Sequence, residues 1–185
     1  IIFWAQAEGA PYTLYWGTAA ADAKMEINNV TNLVANNEAY DAFYKYVPAI
    51  DPATATNEDT TIVLTRPFAQ LNAATNDLTA VKNSGVVLST LTSEVTVKAY
   101  TTLNLFNGAV GDPTQVTFAA TAIPAKLDTP ETLKDGYDYL SMNYVLVNEK
   151  ELVEATLTVY GERTTGGEAF PLTVNNYTNV PLQRN

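Results

Sequence analysis

The chain has 185 residues and a formal net charge of −10, from ten Lys and Arg against twenty Asp and Glu, with a pI of about 4.3. So few cations make a poor phosphate binder, which argues against nucleic acid as a partner. With no Cys and no His there are no disulfides, no thiolate or Ser–His–Asp nucleophiles, and no Cys or His metal ligands. Hydrophobic residues make up 46% and charged residues 16%, so the chain has the means to bury a core. No apolar run nears the roughly 20 residues that span a bilayer, and no basic amphipathic stretch suits an anionic membrane surface. Polar positions are filled largely by Thr and Asn, which favour strands and turns respectively.

In chain order, "IIFWAQ" (Ile1 to Gln6) reads as a strand buried on both faces, because its apolar character is nearly continuous. "AEGAP" is a turn and "YTLYWG" is rich in aromatic residues. "MEINNVTNLV" reads as a strand followed by a loop. "NNEAYDAFYKYV" (Asn36 to Val47) predicts a short helix, with Asn36 or Asn37 as the N-cap, acidic residues in the first turn and aromatics at helical spacing. "PAIDPATATNED" is loop.

"TTIVLTRPFAQLNAATNDL" (Thr60 to Leu78) raises a question. Ile62, Val63 and Leu64 begin a strand, Arg66-Pro67 interrupts it, and Phe68 and Leu71 resume it. Proline cannot donate to a ladder and sits at strand edges, strand starts and bulges. Two readings stand: a crossover between packed units, or a bulge within one edge strand. "AATNDLTAVKNSG" is loop or short helix.

From Ser93 the alternation is cleaner. "SEVTVKAY", "TQVTFAA", "YDYLSMNYVLV" and "EATLTVYG" read as half-buried strands. Asn107-Gly108 and "TTGGE" supply turns between strands, and "AFPLTV" returns. "AIPAKLDTPETLKDG" is a connection. Short strands between turns, with almost no helix in the second half, predict an antiparallel β-sandwich.

Candidate chemistry is sparse. Glu149, Glu151 and Glu154, or Asp135 and Asp138, are the carboxylates a glycosidase pair would need, but a solvated turn explains the Glu cluster better. Oxygen ligands for calcium occur in "DPATATNED", without EF-hand spacing. Asn29-Val30-Thr31 and Asn176-Tyr177-Thr178 fit the short N-glycosylation pattern, and Asp59-Thr60-Thr61 an O-glycosylation acceptor. Trp4, Tyr12, Tyr15 and Trp16, with Phe3, form an aromatic group. It suits a core, a subunit interface or a sugar-stacking surface. Neither cofactor nor catalytic residue is expected.

Taken together and in order, "IIFWAQAEGAPYTL", "NNEAYDAFYK", "IVLTRPFAQLN", "VTVKAYTTLNLFNGAVG", "YDYLSMNYVLV" and "NVPLQRN" resemble fimbrillin-like proteins of gut Bacteroidales, subunits of surface fimbriae made as lipoproteins. The resemblance covers nearly the whole chain. It implies an all-β fold of two transthyretin-like or immunoglobulin-like antiparallel β-sandwiches in tandem with one short helix, here over residues 1–64 and 65–185. Arg66-Pro67 would then mark the crossover. The resemblance also implies a location on the cell surface after export across the outer membrane, and polymerisation by strand exchange with neighbouring copies. Accessory fimbrial subunits and host or bacterial surface receptors are further partners it implies. Ile2, Phe3, Ile62 and Leu64 are the groove-lining candidates. Both ends, stopping inside strand-like sequence, are expected to be truncated relative to such a subunit. A surface-anchored carbohydrate-binding module or tip adhesin, using the N-terminal aromatics, is the alternative.

Overall fold

A computed structural model describes residues 1–48, 61–123 and 135–184. Strand β1 is Ile2–Gln6, β2 is Tyr12–Tyr15, β3 is Lys24–Ile27, β4 is Leu33–Val34 and β5 is Ala42–Tyr46. β6 is Phe68–Thr75, followed by α1, Leu78–Asn83, the one α-helix among the described residues. β7 is Thr92–Ala99, β8 is Thr102–Asn104, β9 is Val110–Gly111 and β10 is Thr114–Ala122. β11 is Asp138–Leu146, β12 is Lys150–Gly161 and β13 is Phe170–Gln183. The expected all-β antiparallel sandwich with a short helix is what the chain forms.

The largest sheet follows from the alternating segments. It has the order β13-β12-β7-β10-β4, antiparallel except where β4 joins β10 in parallel. Register aligns the apolar positions of its central strands: Val97 faces Val116 and Ala155, and Val95 faces Phe118 and Leu157. All six are buried, so period 2 places one continuous apolar face on the core side. Against that face lies a sheet of only two strands, β11-β6, tied to it by the buried Ser93 hydroxyl, which donates to Leu140 O at 3.0 Å. The remaining sheets are β2-β3-β8-β9 and the pair β1-β5.

β11 departs from its expected half-buried alternation: every residue from Tyr139 to Leu146 is buried. One edge pairs with β6. Along the other, the Asn36 backbone N–H donates to Met142 O and its side chain accepts from Met142 N, both at 2.8 Å, while Tyr100 N–H donates to Leu146 O. These bonds give backbone groups on both edges of a strand covered on both faces partners other than solvent.

Two other expectations are corrected. Residues 36–47 do not form a helix: a single 3-10 turn over Glu38–Tyr40, capped by the Asn37 side chain accepting from Ala39 N–H, gives way to β5. The capping signal was local and real. Asp41 then turns extended, and the aromatic residues Phe43, Tyr44 and Tyr46 pair with β1, so the ladder overrides helical spacing. β1 is not buried on both faces; Ile2, Phe3 and Trp4 are half-buried, Ala5 and Gln6 exposed, and its sheet is narrow.

The Arg66-Pro67 interruption is a change of partner. Thr65 exchanges two backbone hydrogen bonds with Tyr44 of β5, at 2.9 and 3.0 Å. From Phe68 onward the chain pairs with β11 instead. Pro67 is fully buried between the two pairings, where no ladder asks for its missing N–H. Arg66 fixes the step: its Nε and Nη2 donate to the two Asp41 carboxylate oxygens at 2.7 and 2.6 Å, and the guanidinium lies over the Phe43 ring. Two ladders, β3 with β8 and β4 with β10, cross the expected boundary between residues 64 and 65. The buried cluster likewise joins Tyr12, Met25 and Leu33 to Phe68, Leu103 and Phe118.

Phe68 is wholly buried and stacks on Tyr12 with ring centroids 5.0 Å apart. Phe68→Ala is expected to cost about 3–5 kcal/mol in urea unfolding, as a cavity at the point where the sheets meet. A loss below about 1 kcal/mol would show that the site collapses around the gap.

Candidate docking groove and aromatic residues

The two-stranded sheet is too narrow for the five-stranded one. Among the described residues no strand pairs with the outer edge of β6, and none lies beyond β13. Between them runs a hollow of about 260 Å³, lined by Leu71 and Ala73 of β6 and by Val95, Ala155, Leu157 and Val180 of the larger sheet. A second, mixed hollow of about 230 Å³ continues it beneath α1, with Leu78, Val81 and Leu172 but also Thr75, Asn76 and Asn175 in its walls. Tyr177 lines both. By register Tyr177 sits opposite the buried Ala155, so it belongs to the core-facing side of β13, yet it is 46% exposed. Nothing described covers it. The hollow against β6 has no charged residue in its lining, and the one beneath α1 has only Asp77. An apolar trough beside an unpaired strand edge is the geometry that accepts an added strand.

The expected groove residues lie elsewhere. Ile2 and Phe3 are on β1, paired with Tyr46 and Lys45. Ile62 and Leu64 are half-buried just before the Thr65 bridge, flanking Val63, which is 71% exposed. None of the four lines the trough beside β6. Ile2 instead helps form a separate hollow of about 290 Å³ with Ile1, Trp16 and Tyr46. The groove residues Leu71, Val180 and Tyr177 escaped sequence reading because a free edge is not written in the residues of the strand that owns it. Tyr177 drew notice only as part of a glycosylation pattern.

The aromatic group divides in two. Tyr12 is buried, stacks on Phe68 and donates its hydroxyl to Tyr40 O; Trp4 meets Tyr12 edge-on at 6.1 Å and leans on Tyr44. Tyr12 is core, and Trp4 packs half-buried against it. Tyr15 and Trp16 are exposed, the latter by 63%, and Lys24 lies over the Tyr15 ring. The Glu151 side chain accepts from Asn148 N–H in the turn before β12, and Glu154 is exposed on that strand. Among the described residues no three Asp or Glu gather as a metal-holding group, and no helix is long and apolar enough to cross a membrane. The "DPATATNED" loop and Asp59-Thr60 fall outside the described residues.

Burial drives the Tyr12 phenol well above its ordinary value, with Asp41 adding to the effect, and pushes Tyr139 up to about 12, with Tyr144 and Glu38 contributing. In the unfolded chain both ionise near 10. Their folded pKa values are raised, so the stability they contribute is complete below about pH 10 and is lost as pH rises from there toward 12 and beyond. The melting temperature is expected to fall across that window, and to fall less steeply in Tyr12→Phe. Equal slopes in the two proteins would show that Tyr12 is not the group responsible.

No curated protein and no solved structure matches this chain. A family model does, across residues 1–185, and the chain therefore belongs to the family described as a family of unknown function, DUF6562.

Proposed function

We propose that the protein is a structural subunit of a cell-surface filament of the fimbrial type, assembling by donor-strand exchange between copies and supporting adhesion. The observation that carries this reading is the uncovered apolar trough between the free edge of β6 and the core-facing side of β13, with Tyr177 left standing above it. A strand supplied by a neighbouring copy would extend the β11-β6 sheet. Its main-chain groups would pair with β6, and its alternate side chains would fill the trough. The ordered sequence resemblance to fimbrillin-like subunits supports the same reading. On it the protein is exported across the outer membrane, held at the cell surface, and meets accessory subunits and surface receptors. The low positive charge gives no reason to add nucleic acid to its partners. The reading assigns no catalytic step and no cofactor.

One observation favours a second reading, a carbohydrate-binding or tip-adhesin module. Trp16 is exposed at the rim of the Ile1–Ile2–Tyr46 hollow, with Tyr15 beside it in sequence. Burial of Tyr12, with Trp4 packed half-buried against it, leaves two of the four aromatic residues fully at that surface.

Electron microscopy of the protein from its native source, without refolding, separates the two. Filaments with a subunit-length repeat are expected, and Tyr177→Asp should abolish them while leaving the circular dichroism and melting temperature of the isolated chain nearly unchanged. Compact monomers alone, together with glycan binding lost in Trp16→Ala, would replace the filament reading with the second.

A further inference from the structure

The outer face of the five-stranded sheet is polar, as is usual for an antiparallel sheet with one side in water. Two features set one region of it apart. The β12–β13 ladder slips there: Val153 pairs with Val180 but Ala155 with Tyr177, so Thr178 and Asn179 together stand opposite Glu154. Asn179 takes a left-handed conformation, φ 57°, within a 14-residue strand. Bulges bend a strand and re-aim its side chains, and they are over-represented beside functional sites.

The face is hollowed beside the slip. Hollows of about 470 and 340 Å³ adjoin there, and both are lined by Lys98, Glu154 and Thr178. Val97 pairs with Ala155, which makes Lys98 and Glu154 cross-strand neighbours. Both are exposed and neither forms an ion pair among the described residues, so a cationic donor and an anionic acceptor stand side by side with free valences. The larger hollow adds the amides of Gln115 and Asn176. The smaller adds Tyr100, Pro113 and Leu152, the last 64% exposed.

We propose that this trough binds a neutral saccharide. A sugar presents hydroxyls that both donate and accept, which the Lys98, Glu154 and amide set can satisfy together, and C–H faces that the Tyr100–Leu152 end can cover. The same set disfavours the alternatives. A phosphate or carboxylate ligand would meet Glu154 within a strongly acidic chain. A cation would meet Lys98, and a wholly apolar ligand would strip water from two charges without replacing it. The site is distinct from the Tyr15–Trp16 surface, and it stands whether or not the chain polymerises.

The test is an NMR titration of the ¹⁵N-labelled chain with cellohexaose, laminarihexaose and mannohexaose at millimolar concentrations. At least one is expected to give saturable shifts centred on the Lys98, Gln115, Glu154 and Thr178 amides. Lys98→Ala and Glu154→Gln, both at exposed positions that leave the fold intact, should each weaken that binding about tenfold or more. The proposal is overturned by no saturable shift with any of the three sugars, by shifts confined to Tyr15 and Trp16, or by undiminished binding in both variants.

Discussion

The apolar face of a five-stranded sheet needs a covering layer of comparable width, and among the described residues the β11-β6 sheet that faces it is two strands wide. The rest of the molecule is arranged around that shortage. β11 lies at the centre of the cover and is buried from Tyr139 to Leu146, held by β6 on one edge and by Asn36 and Tyr100 on the other. α1 and the residues around it close one end. The remaining strip, between β6 and β13, stays open among the described residues, and it is there that a core-facing tyrosine reaches solvent. Apolar surface left in water forgoes about 25 cal/mol per Å², which is what a complementary strand would recover.

The same economy explains the path through Arg66-Pro67. The chain must leave β5 and enter the cover beside β11, and a residue without an N–H suits the point at which neither ladder continues. The bidentate Arg66–Asp41 pair locks that step to the turn after Tyr40, and Phe68 then enters the core against Tyr12. The other end is tied by Arg184, whose guanidinium donates to Val147 O and Gly108 O, joining the close of β13 to the end of β11 and to the turn between β8 and β9. Gly108 is left-handed there, φ 74°, and a Cβ would come within 2.7 Å of the Tyr44 hydroxyl. A side chain at that turn would meet both backbone strain and a neighbour from the β1-β5 sheet.

Sequence reading and structure parted where the answer depended on a partner strand. In "NNEAYDAFYKYV" the capping signal holds and the helix does not, because Asn37 acts within one turn while Phe43 to Tyr46 answer to β1. For β11 the alternation in the sequence was real. Both faces are nonetheless buried: the Asn143 amide nitrogen donates to Leu71 O and Ser141 Oγ, while the Asn143 amide oxygen and the Tyr139 hydroxyl are buried with no partner among the described residues. In the sequence Trp4 and Tyr12 are equivalent to Tyr15 and Trp16; the fold buries Tyr12, packs Trp4 half-buried against it, and leaves the other two at the surface.

By itself the amino-acid sequence determined the class: period-2 segments from Ser93 onward, Thr-rich polar positions and Gly-containing turns leave little besides an antiparallel β-sandwich. It also removed whole chemistries, since no arrangement of this chain supplies a thiolate or an imidazole. Only the tertiary structure decided which strand edges remain unpaired, which aromatics are exposed, and where Lys98, Glu154 and the bulge at Asn179 meet. Local propensity acts over a few residues. A free edge, a trough and a cross-strand charge pair are each made by segments far apart in the chain, and register alone brings them together.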